Sequence, residues 1–569
     1  MTVAIPRPRG IRLDAARLSA GRTGTLALLL AYTALATLLM WPGLVLGPSL
    51  DASAFAVAGR ELLNGARLYA DVWDHKPPGI HIVHGAAQLL APTGDPWLPM
   101  WILSVASVVT AGVLLARLSR DQGRQHGWLV GLLAVVGIAM YPISLGGGMT
   151  ETLALPPIVG ALSLASRATA RPRLLLVAGV LLGLASLVSF QAFIALPALM
   201  IVAGTRQPTS TIGRVAIVAG GFAAPLVSMA VSLALAGLAR EAVDSLVSYN
   251  RTYIELSRTH PGHTSANIAW AVSVLACLWT PAAIGLARSI LTRRMSKLDA
   301  ALLVWLVVGI AAVQSLGRLE LHYLALLVPP LAWWAGAALP ADLGARGPRG
   351  AVGPLALGAL TVGTVLSGLA LGRWYELLKD EAEPWRTADD AVAAWVRAHT
   401  PPDARILVWG SWPRVYLRSD RRPATRYIYF FPLTTTGYST SAMAEGLRSE
   451  LEATRPAAII DVGRGSIPLL VAHPVYAGDG RAYDVLDVVR AWVRENYRHA
   501  ATIDGYRVYV PVGSVAGDLS PTDAEPRLRA SWKCCGGRVP NGCGAGSLGA
   551  PEQWREGSED REAVEPENG

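Results

Sequence analysis

Residues 25–51 read TLALLLAYTALATLLMWPGLVLGPSLD, and the loop that follows carries Trp73-Asp74-His75-Lys76-Pro77-Pro78-Gly79. The first stretch has no charge before Asp51 and is long enough to cross hydrocarbon. Five arginines precede it (Arg7, Arg9, Arg12, Arg17 and Arg22), with no small-residue cleavage site to mark a removable signal peptide. By the positive-inside rule the chain starts in the cytoplasm and this span exits outward. An ionisable loop therefore begins where the chain emerges from the bilayer. The expectation is a polytopic membrane protein with its charged groups gathered at the outer surface.

The bulk composition agrees. Of 569 residues, 52% are hydrophobic and 16% charged, outside the usual soluble range. Apolar segments recur at roughly 25–47, 97–117, 127–145, 152–166, 173–187, 190–204, 215–238, 266–290, 299–316, 320–338 and 351–373. Alternating them out and in places Arg117, Arg120 and Arg124, Arg167, Arg171 and Arg173, Arg206 and Arg214, Arg293, Arg294 and Lys297, and Arg346 and Arg349 in inner loops. Eleven spans starting inside leave everything after residue 373 outside. The formal charge of +9 is accounted for by these loops and does not argue for nucleic acid. Four cysteines exclude a disulfide scaffold, and their spacing fits no four-ligand metal pattern.

The expected domains are a cytoplasmic N-terminus (1–24), a membrane bundle (25–373) with an external loop at 48–96, an external α/β domain (384–512), and a disordered Gly-, Pro- and Glu-rich tail (515–569). Within the loop, 54–63 and 79–90 read as helices. A second outer loop, Gly146-Gly147-Gly148-Met149-Thr150-Glu151, has glycines that let backbone approach a ligand closely. A third, 240–263, carries Asn250, Arg251, Tyr253 and Glu255. Asp51 is either the N-cap of the helix that follows it or a proton acceptor. Glu151 is either a first-turn charge or a ligand contact. Two prolines hold the backbone at Lys76 extended and fix the direction of that side chain. Arg318 and His322 stand four apart, on one face if the segment is helical. The Arg421–Tyr427 run reads as a solvated basic face, the alternative being a grip on acceptor glycan or anionic lipid.

The loop's placement and its Lys76-Pro77-Pro78 run resemble the first external loop of the GT-C membrane glycosyltransferases, in the branch of protein O-mannosyltransferases and aminoarabinose transferases. The Gly317-Arg318-Leu319-Glu320-Leu321-His322-Tyr323 segment looks like its counterpart in bacterial family-39-type glycosyltransferases. The resemblance implies transfer of one sugar from a polyprenyl-phosphate donor to an extracytoplasmic glycan, lipid or protein acceptor, with inversion, at the cell membrane. Asp51 would be the base, and Lys76, Arg318 and His322 the ligands of the donor phosphate. Glu151, Asp74, His75 and Tyr323 would contact sugar or acceptor. No metal ligands and no certain cofactor are implied, although some members use a divalent cation. His75 and Asp74 depart from the branch, where an acid often precedes the lysine directly. The alternative is a transporter or lipid-linked-sugar flippase without transferase chemistry, which would place its ionisable groups near the bilayer midplane.

Overall fold

The computed structural model describes residues 22–91, 96–124, 126–168, 171–204, 208–259, 264–316, 319–338, 348–462 and 484–514. Each apolar segment of the sequence meets a helix or a broken helix. Six helices are long and apolar enough to cross a membrane, at 24–46, 97–121, 210–235, 297–315, 321–338 and 354–377. A seventh is a pair, Ile268–Val274 and Ala276–Leu291, bent by 77°. Gly127–Ala139, Pro172–Val188 and Phe190–Ala203 are apolar but shorter. The eleven spans of the hydropathy reading thus include helices too short to count by length alone. Several are cut by proline, which removes an amide donor and ends or kinks a helix: Thr150–Ser166 holds Pro156 and Pro157.

Helices 22–46, 97–121, 127–139 and 150–166 pack on one another around a single apolar core, and helix 276–291 is gripped by 328–338 and 348–399. Small residues allow the close approach that membrane helices need. A Cβ placed on Gly43 would lie 2.2 Å from the Gly146 Cα. Gly43→Ala is therefore expected to cost about 1–3 kcal/mol through overpacking, read as a lower unfolding midpoint in detergent.

The last helix, Pro348–His399, runs 52 residues without a break from the apolar segment into the C-terminal domain. There it buries Ala388, Val392 and Val396 against a five-stranded sheet. The strands are β1 (Arg405–Trp409), β2 (Arg422–Pro423), β3 (Ala458–Asp461), β4 (Tyr497–Ile503) and β5 (Tyr506–Pro511), in the order β2-β1-β3-β5-β4. β2, β1 and β3 are parallel; β5 and β4 are antiparallel. The helix Ser441–Thr454 leads into β3.

This domain does not stand apart from the loops beneath it. Ala54, Val57, Val72, Trp73 and Tyr249 belong to the same core as Ile406, Tyr429 and Val508. The Arg421–Tyr427 run forms much of the seam, and this corrects the expectation of a solvated basic face. Arg421 is buried and donates to the Thr400 hydroxyl and carbonyl. Arg422 pairs with buried Glu61 at 2.6 Å, and Arg60 donates to the Arg421 carbonyl at 2.7 Å. Burying such charges is tolerated because each is paired and hydrogen-bonded. Glu61→Ala should cost about 1–3 kcal/mol by stranding two partly buried guanidinium groups. Thermal unfolding of detergent-purified protein checks this, and Arg422→Gln should lose less because Glu61 keeps a neighbour in Arg60 at 3.8 Å.

Candidate active site

The site begins at Ser49. Its backbone is extended, and its hydroxyl accepts from the Ala52 amide at 3.2 Å, so Ser49 caps the helix Leu50–Leu63. The capping alternative for Asp51 is thereby closed. Asp51 sits in the first turn, half-buried, and its carboxylate forms no hydrogen bond or ion pair with the described residues. Burial holds its carboxyl above the ordinary carboxylate range. Nearby Lys76 opposes that rise and Asp74 adds to it.

Lys76 is held by its own backbone. Its amide donates to Asp74 Oδ1 at 2.8 Å, and its carbonyl accepts from the Tyr69 hydroxyl at 3.0 Å. Pro77 and Pro78 then open the helix Pro78–Gln88, where a missing amide proton costs nothing. On the other side, the Trp73 amide donates to the Arg426 carbonyl at 2.9 Å, and Asn250 Nδ2 donates to the His75 carbonyl at 2.9 Å. The loop is thus tied to the C-terminal domain and to the helix Asn250–Thr259. The Lys76 side chain stays half-exposed, within electrostatic reach of Asp51, Asp74, Glu151 and His322.

Asp74 is fully buried, with Oδ1 spent on the Lys76 amide and 3.8 Å from His81 Nε2. Its burial pushes the carboxyl up to about 6, with the Lys76 amide and ammonium working against the rise. His75 faces the Tyr429 hydroxyl at 3.1 Å. His81 and His84 are buried on the loop helix, beside Phe55. Burial keeps all three imidazoles neutral: His75 falls well below its usual value, His81 to about 3 and His84 to about 4.

The glycine loop approaches the chain itself. Gly146, Gly147 and Gly148 all have positive φ, and a Cβ on Gly148 would sit 3.0 Å from Ala52 and 3.2 Å from the His84 ring. His84 meets the Gly148 carbonyl at 3.0 Å. The glycines serve this packing, which sets Glu151 at the start of the helix Thr150–Ser166. Glu151 is fully buried, neither carboxylate oxygen forms a hydrogen bond among the described residues, and Lys76 and Asp51 lie within electrostatic reach.

His322 and Tyr323 are buried in a tight turn, Leu321–Leu327, with their rings 4.5 Å apart, edge to face. Tyr323 lies in the field of Asp51, Glu151 and Tyr253. The helical premise for Arg318 and His322 fails, because Leu319 and Glu320 are not helical. The segment Leu321–Leu327 has three residues per revolution, and Pro329 and Pro330, in the first turn of the helix Val328–Ala338, lack the amides that would bond back to Ala325 and Leu326 in an α-helix. Arg318 itself lies outside the described residues. Lys76 thus lies within electrostatic reach of Asp51, Glu151 and His322, and Tyr323 within reach of Asp51 and Glu151, groups drawn from three distant parts of the chain.

An aromatic wall escaped the sequence reading. Trp73, His75, Tyr249 and Tyr429 pack with ring centroids 4.8–6.1 Å apart. Tyr249 ends a widened helical turn, Asp244–Tyr249, of the kind often found at functional sites. Tyr429 lies two residues beyond the run already quoted, and only the fold of the outer domain brings it over the loop. Among the described residues no group of three or more His, Cys, Asp or Glu is placed to hold a metal ion.

Solved structures share this architecture. The chain is similar to ArnT from Cupriavidus metallidurans bound to undecaprenyl phosphate, at 14% identity over 87% of this chain and 100% of that one, with a TM-score of 0.55. It is similar to the apo state of the same protein, at 13% identity over 87% and 99%, also with a TM-score of 0.55. A weaker likeness is to the archaeal oligosaccharyltransferase AglB from Archaeoglobus fulgidus in complex with an inhibitory peptide and a dolichol-phosphate, at 13% identity over 77% and 69% and a TM-score of 0.45. No family model and no curated protein matches the chain. At these identities the likeness to ArnT is one of fold: the chain has the GT-C fold of a membrane protein.

Proposed function

We propose that this protein is a membrane glycosyltransferase that moves one sugar from a polyprenyl-phosphate donor to an acceptor outside the cytoplasm, with inversion. The observation that carries this reading is a carboxylate that is not the helix cap, Asp51, within electrostatic reach of a cation whose backbone is fixed, Lys76, in a fold shared with a protein that binds undecaprenyl phosphate. Asp51 takes the proton of the acceptor hydroxyl as that oxygen bonds to the anomeric carbon. The bond from this carbon to the phosphate oxygen breaks, and its electron pair leaves on the polyprenyl phosphate. Lys76 meets the charge that develops there, where low local water content strengthens the attraction.

Among the other groups, His322 and Arg318 are assigned to the same phosphate, Arg318 on the family resemblance and the fit of a guanidinium fork to phosphate oxygens. Glu151, whose carboxylate has no hydrogen bond, receives sugar or acceptor hydroxyls. His75 and Tyr323 are assigned to the sugar or the acceptor as well, on the family resemblance. Asp74 acts through Lys76, whose amide its Oδ1 accepts from.

Binding of radiolabelled undecaprenyl phosphate to the purified protein tests the donor half of this reading. Lys76→Met should weaken it about 10- to 100-fold, the worth of one charge-assisted hydrogen bond. Equal binding by variant and wild type would remove Lys76 from the phosphate site.

A further inference from the structure

A cavity of about 590 Å³ lies where the outer domain meets the end of the first span. It is separate from the Asp51 site: Arg60, which lines it, is nine residues on from Asp51 in the same helix, about 180° around the axis. Five arginines face it, Arg60, Arg386, Arg397, Arg414 and Arg418, against two carboxylates, Asp390 and Asp420. Asp389 answers Arg414 from behind the wall at 3.2 Å, and positive charge is still in excess. Three of these guanidinium groups keep a buried Nε without a hydrogen bond, those of Arg60, Arg386 and Arg414, although Glu61 lies 3.8 Å from the first and Asp389 3.2 Å from the last.

Apolar side chains of the membrane part, Leu44, Val45, Trp97 and Met100, also line it, with His84 and Gln88 from the loop helix beside them. One turn earlier on the first span, Trp41 is 52% exposed, as expected of an aromatic at the bilayer interface. The basic wall is held onto the span end. Arg414 Nη2 donates to the Leu46 carbonyl at 2.9 Å, and Arg418 Nη2 lies 2.9 Å from where a Cβ on Gly47 would be, a residue with φ of +82°. A basic roof over an apolar floor at headgroup level suits an anionic amphiphile better than a free anion, which has no use for the floor.

We propose that this cavity binds the phosphate headgroup of an anionic membrane lipid and so clamps the outer domain to the first span. The proposal is independent of the transfer reading and is tested without turnover. Delipidated full-length protein is offered dioleoyl phosphatidylglycerol, dioleoyl phosphatidylcholine or glycerol 1-phosphate, and bound molecules are counted by native mass spectrometry. Phosphatidylglycerol should be retained about tenfold more tightly than phosphatidylcholine, and the double variant Arg386→Gln, Arg397→Gln should lose that preference. Equal retention of the two lipids, or an unchanged preference in the variant, would overturn the proposal. Glycerol 1-phosphate binding as tightly as the lipid would overturn it in favour of a soluble phosphate ester. The wild type supplies a check that needs no variant: phosphatidylglycerol should raise its unfolding temperature and phosphatidylcholine should not. A rise common to both lipids, or to neither, counts against the site.

Discussion

Asp51→Asn is expected to lower sugar transfer about 10²- to 10⁴-fold, the usual contribution of a positioned general base. The amide is nearly the same size but accepts no proton. Folding should be untouched, because Ser49 and not Asp51 caps the helix. Ser49→Ala provides the contrast: it should cost about 1 kcal/mol of stability while leaving the chemistry in place. A pH profile separates the two roles further. The base works only when ionised, and burial holds the Asp51 carboxyl above its ordinary value. Transfer should therefore be full at neutral pH and fall as pH drops through that raised value, at a higher pH than the ordinary aspartate value of about 3.9. Asp51→Glu, with the same charge on a longer arm, should restore a small part of the rate and keep a pH-dependent profile.

Lys76→Met is expected to lower the rate of transfer about 10²- to 10³-fold, the scale of losing one preorganised stabiliser of developing charge. Much of the loss should appear in kcat, because the phosphate gains negative charge as it leaves. Lys76→Arg should recover little. The backbone at this position is pinned by Asp74 and Tyr69 and fixed in direction by Pro77 and Pro78, so a longer, planar head group overshoots the same point. Tyr69→Phe removes only the bond to the Lys76 carbonyl. It should give a milder defect, which identifies Tyr69 as a positioning residue if the pH profile is unchanged.

Much of the bundle was legible because hydropathy reads helices that face lipid, and Lys-Pro-Pro is a local signal that needs no tertiary contact. The positions of Asp51, Lys76, Glu151 and His322 could be read one by one, yet nothing in their spacing showed that Lys76 lies within electrostatic reach of the other three. The glycine loop misled for a physical reason: positive φ and a missing Cβ look the same whether the neighbour is a ligand or, as here, Gly43 and Ala52. The basic run at 421–427 misled likewise, since its partners Glu61 and Glu450 lie on other elements. Tyr249 and Tyr429 carry no motif at all; they join the site only because the outer domain and the loops share one core.

The measurement that tests the central claim most directly is consumption of radiolabelled polyprenyl-phosphate sugars by the purified full-length protein, wild type beside Asp51→Asn, with cell-envelope extract as acceptor. Asp51-dependent transfer from one donor, with release of polyprenyl phosphate and an inverted anomeric centre in the product, is the predicted result. Donor binding without turnover by a folded wild-type protein, or equal turnover by Asp51→Asn, would contradict the account.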